Sequence, residues 1–251
     1  MGRLNSTTRG VTLLSPEVTV RALSSRFLTR SRGSGSERTR EITRGRQIFL
    51  DSAPIAGNRL SCDSCHLDGG TNPKVLSLVG VAQTFPRMSR RYHVWMNLSQ
   101  RIDRCVSNSL AGRPLAAKSQ KLRELTLYVT ALSADQPKTI PRSRMARSST
   151  QSGRGQVVIN NGAWLYRMDC AYCHGPGGQG FAHGSLAPPL WGSQSYTQQA
   201  GFDRLEVLSA FIRVAMPASP WHGIQPGQLS SRQSEQIARF LLDHARPLKG
   251  P

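Results

Sequence analysis

The sequence predicts an all-helical chain in which one structural plan is used twice. Three observations lead there. A C-x-x-C-H unit occurs at Cys62, Cys65 and His66 and again at Cys170, Cys173 and His174, with 108 residues between equivalent positions. Each unit follows a short helical run. Each half then closes on a helix whose apolar residues recur at the three-four spacing of a buried face.

Taken in order, residues 1–40 read as a disordered basic tail. Eight arginines face only Glu17 and Glu37, and Gly33, Ser34, Gly35 and Ser36 make a flexible run. Residues 41–135 read as a first domain. Arg44 to Leu50 is its opening helical run, and Ser119 to Leu132 its closing helix, with Leu122, Leu125, Val129 and Leu132 on one face. Residues 136–154, with Pro137, Pro141, four arginines and Gly153, read as a linker. Residues 155–251 repeat the plan. Gly155 to Met168 is predicted helical. Ser230 opens the last helix with Gln233 as a capping-box partner, and Ile237, Phe240 and Leu241 form its apolar face.

The chain has 33 Lys and Arg against 14 Asp and Glu, a formal charge of +19. Such a surface attracts anions. The basic residues are spread along the chain and form no nucleic-acid-binding motif, so nucleic acid is not the expected partner. No stretch approaches 18 uninterrupted apolar residues, so no membrane span is expected.

Five cysteines leave one over from any full set of disulfides. Four belong to the C-x-x-C-H units, and that pairing has a specific chemistry. Two thiols form thioethers with porphyrin vinyl groups, and the adjacent His supplies an axial nitrogen to the iron. A zinc site shared across 108 residues would not be compact, and no strand-to-helix context marks a thioredoxin-like pair. Two covalent c-type haems are therefore expected, in two tandem class I cytochrome c domains. Haem attachment of this kind takes place outside the cytoplasm, so a periplasmic location is expected. The first residues lack the apolar core of a secretory signal and are closer in composition to a transit peptide.

Each iron has a sixth position. For the second haem the candidates are Met216, His183 and His222. Met216, in Ala215-Met216-Pro217, lies 42 residues after His174 and is favoured. For the first haem the candidates are Cys105, Met88, Met96 and His93. Cys105 lies 39 residues after His66, the slot that Met216 occupies in the second half. A cysteine at iron binds as thiolate and lowers the potential, whereas His/Met ligation raises it. Lys74, Arg87, Arg90, Arg91, Arg101, Arg104 and Arg113 surround Cys105 in sequence. They suit a small dianion, because the guanidinium fork donates paired hydrogen bonds to oxyanions.

Residues 62–73 (Cys-Asp-Ser-Cys-His-Leu-Asp-Gly-Gly-Thr-Asn-Pro) resemble the first haem segment of dihaem thiosulfate dehydrogenases. Residues 101–115, around Cys105, resemble that family's distal cysteine segment, and residues 170–174 with Met216 its electron-transfer haem. The resemblance spans about 41 to 246. It implies that two thiosulfates are coupled to tetrathionate, or the reverse, at the haem of His66 and Cys105. Cys105 would act on sulfur directly, with Arg90, Arg101, Arg104 and Ser109 as companions. Electrons would pass through the haem of His174 and Met216 to an external redox protein. Some members carry Lys before the distal Met; here Ala215 stands there. Two other readings remain: a dihaem electron carrier with no need of Cys105, and the haem subunit of a sulfur-oxidising multienzyme system.

Overall fold

The computed structural model describes residues 32–89, 92–134, 161–181, 187–221 and 223–248. The linker 136–154 lies outside the described residues, as do Arg90, Arg91, His183, His222 and residues 1–31 of the tail. The chain divides into a unit of residues 1–39 and a unit of residues 40–251. Of the first, the described part is the start of helix α1 (Arg32–Leu50), where Thr39 Oγ1 donates to the Gly35 carbonyl at 2.9 Å. The sequence alone predicts a helical run from Arg44 and disorder up to residue 40. The helix in fact takes in residues 32–40. No proline interrupts 32–50, and the Arg and Glu residues there are good helix formers that offset Gly33 and Gly35.

Within the second unit, α1 continues to Leu50 and turns its Glu41, Gly45 and Phe49 inward at four-residue spacing. A short α2 (Ala53–Ala56) precedes the first C-x-x-C-H segment. A 3-10 turn (Val81–Thr84) leads into a hairpin of β1 (Arg87–Ser89) and β2 (Val94–Met96), which pairs Arg87 with Met96 and Met88 with Trp95. An all-helical reading did not anticipate this hairpin; each strand is only three residues long. Next come α3 (Leu98–Asn108) and α4 (Gln120–Ala131). The second half contains α5 (Gly162–Asp169), α6 (Ala171–His174), a 3-10 turn (Gln198–Ala200), α7 (Leu205–Ala215) and α8 (Ser231–Leu242). The expected Ser230/Gln233 capping box is present, and Asn97/Gln100 forms a second one at α3.

The opening and closing helices of each half cross at a glycine. A Cβ on Gly45 would strike the Glu124 carbonyl and come within 2.9 Å of Tyr128 Cβ. A Cβ on Gly162 would strike the Gln236 carbonyl and come within 2.8 Å of Phe240 Cβ. One turn on, an aromatic pair fills each crossing: Phe49 with Tyr128 and Tyr166 with Phe240, both with ring centroids 5.3 Å apart. The hydroxyl has changed sides between the halves. Tyr128 on the closing helix donates to the Gly69 carbonyl at 2.7 Å, and Tyr166 on the opening helix donates to the Gly175 carbonyl at 2.6 Å. Each bond ties a helix crossing to the turn just past a C-x-x-C-H unit. Reciprocal ion pairs, Glu41 with Arg123 and Arg44 with Glu124, flank the first crossing.

The two halves share a core. Ala56, Leu60, Val75 and Leu110 from the first half pack in one cluster with Leu165, Tyr166, Phe202, Phe211, Ile212 and Ile237 from the second. Cys62, Cys65, Cys170 and Met216 lie against the same cluster. Polar bonds close the seam: Thr197 Oγ1 donates to the Asn108 carbonyl at 2.6 Å, and Thr197 N–H to the Ser109 carbonyl at 3.2 Å.

Candidate functional site

Both C-x-x-C-H units turn the same way. In the first, His66 N–H bonds to the Cys62 carbonyl at 3.0 Å; in the second, His174 N–H bonds to the Cys170 carbonyl at 2.9 Å. Each turn brings two thiols and an imidazole to one side of the chain. His66 Nδ1 lies 2.7 Å from the Leu76 carbonyl, and His174 Nδ1 2.8 Å from the Pro188 carbonyl. A carbonyl only accepts, so Nδ1 carries the proton in both rings and Nε2 presents its lone pair. Burial keeps both imidazoles in the neutral form that binds metal, holding them below the ordinary histidine range. Burial also pushes the thiols of Cys62, Cys65 and Cys170 up to about 12, so they stand as thiols.

Ser52 builds the first turn from beneath. It is fully buried, its hydroxyl donates to the Ile48 carbonyl at 2.9 Å, and it accepts from Cys62 N–H at 3.2 Å. Neither Ser52 nor the carbonyls of Leu76 and Pro188 were picked out from the sequence. Backbone acceptors leave no residue-type signal, although the Pro188-Pro189 pair marks a rigid extended segment after the second motif.

Cys105 sits on α3, whose capping box fixes the start of the helix. One turn before it, Arg101 donates from Nη1 to Cys105 Sγ at 2.7 Å. The pair faces the first C-x-x-C-H unit. The Cys105 charge bears on the thiols of Cys62 and Cys65, and the Arg101 charge bears on the His66 imidazole. The bond fixes the position of the sulfur and sets a positive charge beside it.

The other candidates scatter. Ser109 caps α3; its N–H bonds to the Cys105 carbonyl at 2.9 Å. Arg104 places its guanidinium 4.7 Å from the centre of the Tyr92 ring. Tyr92 in turn accepts from Asn108 Nδ2 at 2.7 Å. Lys74, Arg87 and Arg113 are exposed, and Arg90 and Arg91 lie outside the described residues. Among the alternative ligands, Met96 is buried in β2, whereas Met88 and His93 are exposed on the hairpin. Met216 follows the last turn of α7, its N–H bonded to the Ile212 carbonyl at 3.0 Å.

Residues 44–137 match the family model described as SoxA/TsdA, cytochrome c domain. Residues 158–241 match that described as cytochrome c oxidase, cbb3-type, subunit III. The thiosulfate dehydrogenase of Allochromatium vinosum is 32% identical over 226 residues, which is 82% of this chain and 78% of the relative. The chain belongs to the thiosulfate dehydrogenase family. The thiosulfate dehydrogenase of Stutzerimonas stutzeri strain A1501 is 31% identical over 212 residues, covering 82% of this chain and 67% of the relative. The solved thiosulfate dehydrogenase TsdBA of Marichromatium purpuratum superposes with a TM-score of 0.68 at 24% identity, over 90% of this chain. This chain spans 54% of that one, and the likeness is one of fold.

As a thiosulfate dehydrogenase family member, the chain is a tandem of two cytochrome c domains and takes two c-type haems. The donor sets suit that group: two thiols and one imidazole of fixed tautomer in each half. Among the described residues, no helix is long and apolar enough to cross a membrane.

Proposed function

We propose that this protein is a thiosulfate dehydrogenase that joins two thiosulfates into tetrathionate, with catalysis at the first half and electron exit at the second. The observation that carries this reading is the Arg101–Cys105 pair facing the first C-x-x-C-H unit. A plain electron carrier has no use for a cysteine held by a guanidinium beside its haem motif.

In this reading Cys62, Cys65, His66 and Cys105 would hold the first haem, and Cys170, Cys173, His174 and Met216 would hold the second. The bound haems supply one-electron redox centres, the Cys-ligated one at the lower potential. The chain's own residues do the rest. Arg101 holds Cys105 Sγ by a hydrogen bond and offers positive charge to a dianion. The sulfane sulfur of one thiosulfate bonds to Cys105 Sγ, two electrons leave, and a cysteine S-thiosulfonate monoanion remains. A second thiosulfate attacks the sulfane sulfur of that adduct. The bond to Cys105 breaks, tetrathionate departs, and the cysteine thiolate returns. Joining the anions through a covalent adduct matters because two dianions at close range repel by about a few kcal/mol. The adduct presents one negative charge to the second thiosulfate in place of two.

The acceptor is an external one-electron redox protein, and the place of action is the periplasm, where haem attachment occurs. The test is an anaerobic assay of holoprotein with thiosulfate and ferricyanide, quantifying tetrathionate, beside Cys105→Ala. Turnover in the wild type and its loss in the variant, both haems still attached, is the expected result. Two redox-active haems with no turnover in either direction would leave a dihaem carrier instead.

A further inference from the structure

The residues between the two cysteines differ in kind between the two haem motifs. In the first, Asp63 and Ser64 are spent on the turn itself: Asp63 Oδ1 accepts from Gly69 N–H at 2.7 Å, and Ser64 bonds with Ser61. In the second, Ala171 is buried and Tyr172 is 45% exposed. The Tyr172 ring stacks on Trp221, with centroids 4.0 Å apart and planes 24° apart. Trp221 lies five residues beyond Met216, and its indole N–H donates to the Met168 carbonyl at 3.4 Å. Met168 and Trp164 stand four apart on α5 and are 43% and 51% exposed. Trp164, Met168, Trp221 and Tyr172 therefore form one continuous apolar surface over the outer edge of the second motif. It joins the segment that carries His174 to the loop that carries Met216.

We infer that this surface is the docking patch for the electron acceptor, and that the acceptor is an acidic one-electron redox protein with an apolar contact face. The inference rests on the proposed dehydrogenase reading only for the source of the electrons. Exposed Trp, Tyr and Met are the residue types that anchor protein interfaces. Charge selects the partner: Arg167 is exposed on α5 between Trp164 and Met168, on a chain of formal charge +19. Of the two haem motifs, the second is the one with an aromatic between its cysteines, which places this patch directly over the haem segment of the second half. Each tetrathionate formed releases two electrons and no proton, so two oxidised acceptor molecules are each reduced by one electron there.

The test uses holoprotein reduced with dithionite and mixed in a stopped-flow instrument with an oxidised acidic monohaem cytochrome c, a basic one, or ferricyanide. At low ionic strength the acidic cytochrome is expected to be reduced faster than the basic one. Trp164→Ala and Trp221→Ala are each expected to slow the acidic cytochrome about tenfold, the size of one hot-spot side chain. Ferricyanide reduction and the spectra of both haems should stay as in the wild type, and Trp221→Phe should restore most of the rate. Arg167→Glu should slow the acidic cytochrome and flatten its salt dependence. Trp164→Ala lies on the outer face of α5 and leaves the Met216 loop alone, so it tests the patch if Trp221→Ala disturbs that loop. Unchanged rates with the acidic cytochrome in both Trp variants would overturn the inference, as would faster reduction of the basic one. Because the electrons come from dithionite, failure of the thiosulfate assay leaves this result readable.

Discussion

At the scale of single residues, the Arg101–Cys105 bond is the contact on which the proposed first site rests. A charge-assisted hydrogen bond of this kind is worth about 1.5–3 kcal/mol, which corresponds to a roughly 10–100-fold loss of kcat/KM on removal. Arg101→Gln is expected to fall in that range in the thiosulfate assay. Arg101→Lys should recover part of it, keeping the charge and losing the fork. Buried tyrosines set a second residue-scale property. Burial holds the hydroxyls of Tyr128, Tyr166 and Tyr196 above the ordinary tyrosine range. The folded chain keeps these protons more tightly than the unfolded one. The stability they contribute is therefore complete below about pH 10, the unfolded value, and is lost as pH rises through the higher folded values. Thermal unfolding followed by circular dichroism should show the midpoint falling steeply above about pH 10. In Tyr166→Phe that fall should be shallower, and stability at neutral pH about 1 kcal/mol lower from the lost bond to Gly175.

At the scale of elements, each half depends on two helices meeting without a side chain between them. Gly45→Ala and Gly162→Ala should each destabilise the holoprotein by about 1–3 kcal/mol, because the added methyl meets backbone. Denaturant titration checks the prediction, and an unchanged midpoint would mean that the crossing can widen freely. Much of this level was legible in the sequence. Periodicity gave α4 nearly to the residue, and the start and capping box of α8 could be read from Ser230 and Gln233. The beginning of α1 could not, since a helix rich in Arg and Ser has no apolar stripe to announce it. The hairpin was missed because two three-residue strands carry too short a pattern to register. At the site, covalent motifs have fixed spacing and were visible. Arg104 looked equivalent to Arg101 in sequence, yet helical geometry gives only Arg101 the one-turn offset that reaches Cys105.

At the scale of the whole second unit, the linear plan of two repeats understates how the halves are joined. Leu60, Val75 and Leu110 are buried against residues of the second half, and Thr197 bonds to the last turn of the helix that bears Cys105. The two haem motifs are thus joined by packed core, with Cys62, Cys65 and Cys170 lying against one cluster. The charge belongs to this scale too. A surface so rich in arginine attracts small dianions and acidic proteins alike, and both attractions weaken together as salt is added. The joined core also bears on how such a chain is inherited. Beads on a string can be shuffled one at a time. Here a foreign cytochrome domain grafted in place of either half would meet a surface shaped for the original neighbour. Its fit would have to be rebuilt at Leu60, Leu110 and Thr197 before any chemistry was tried. Exchange of the pair as one block would keep that fit, and change would be least costly in loops and on the outer surface.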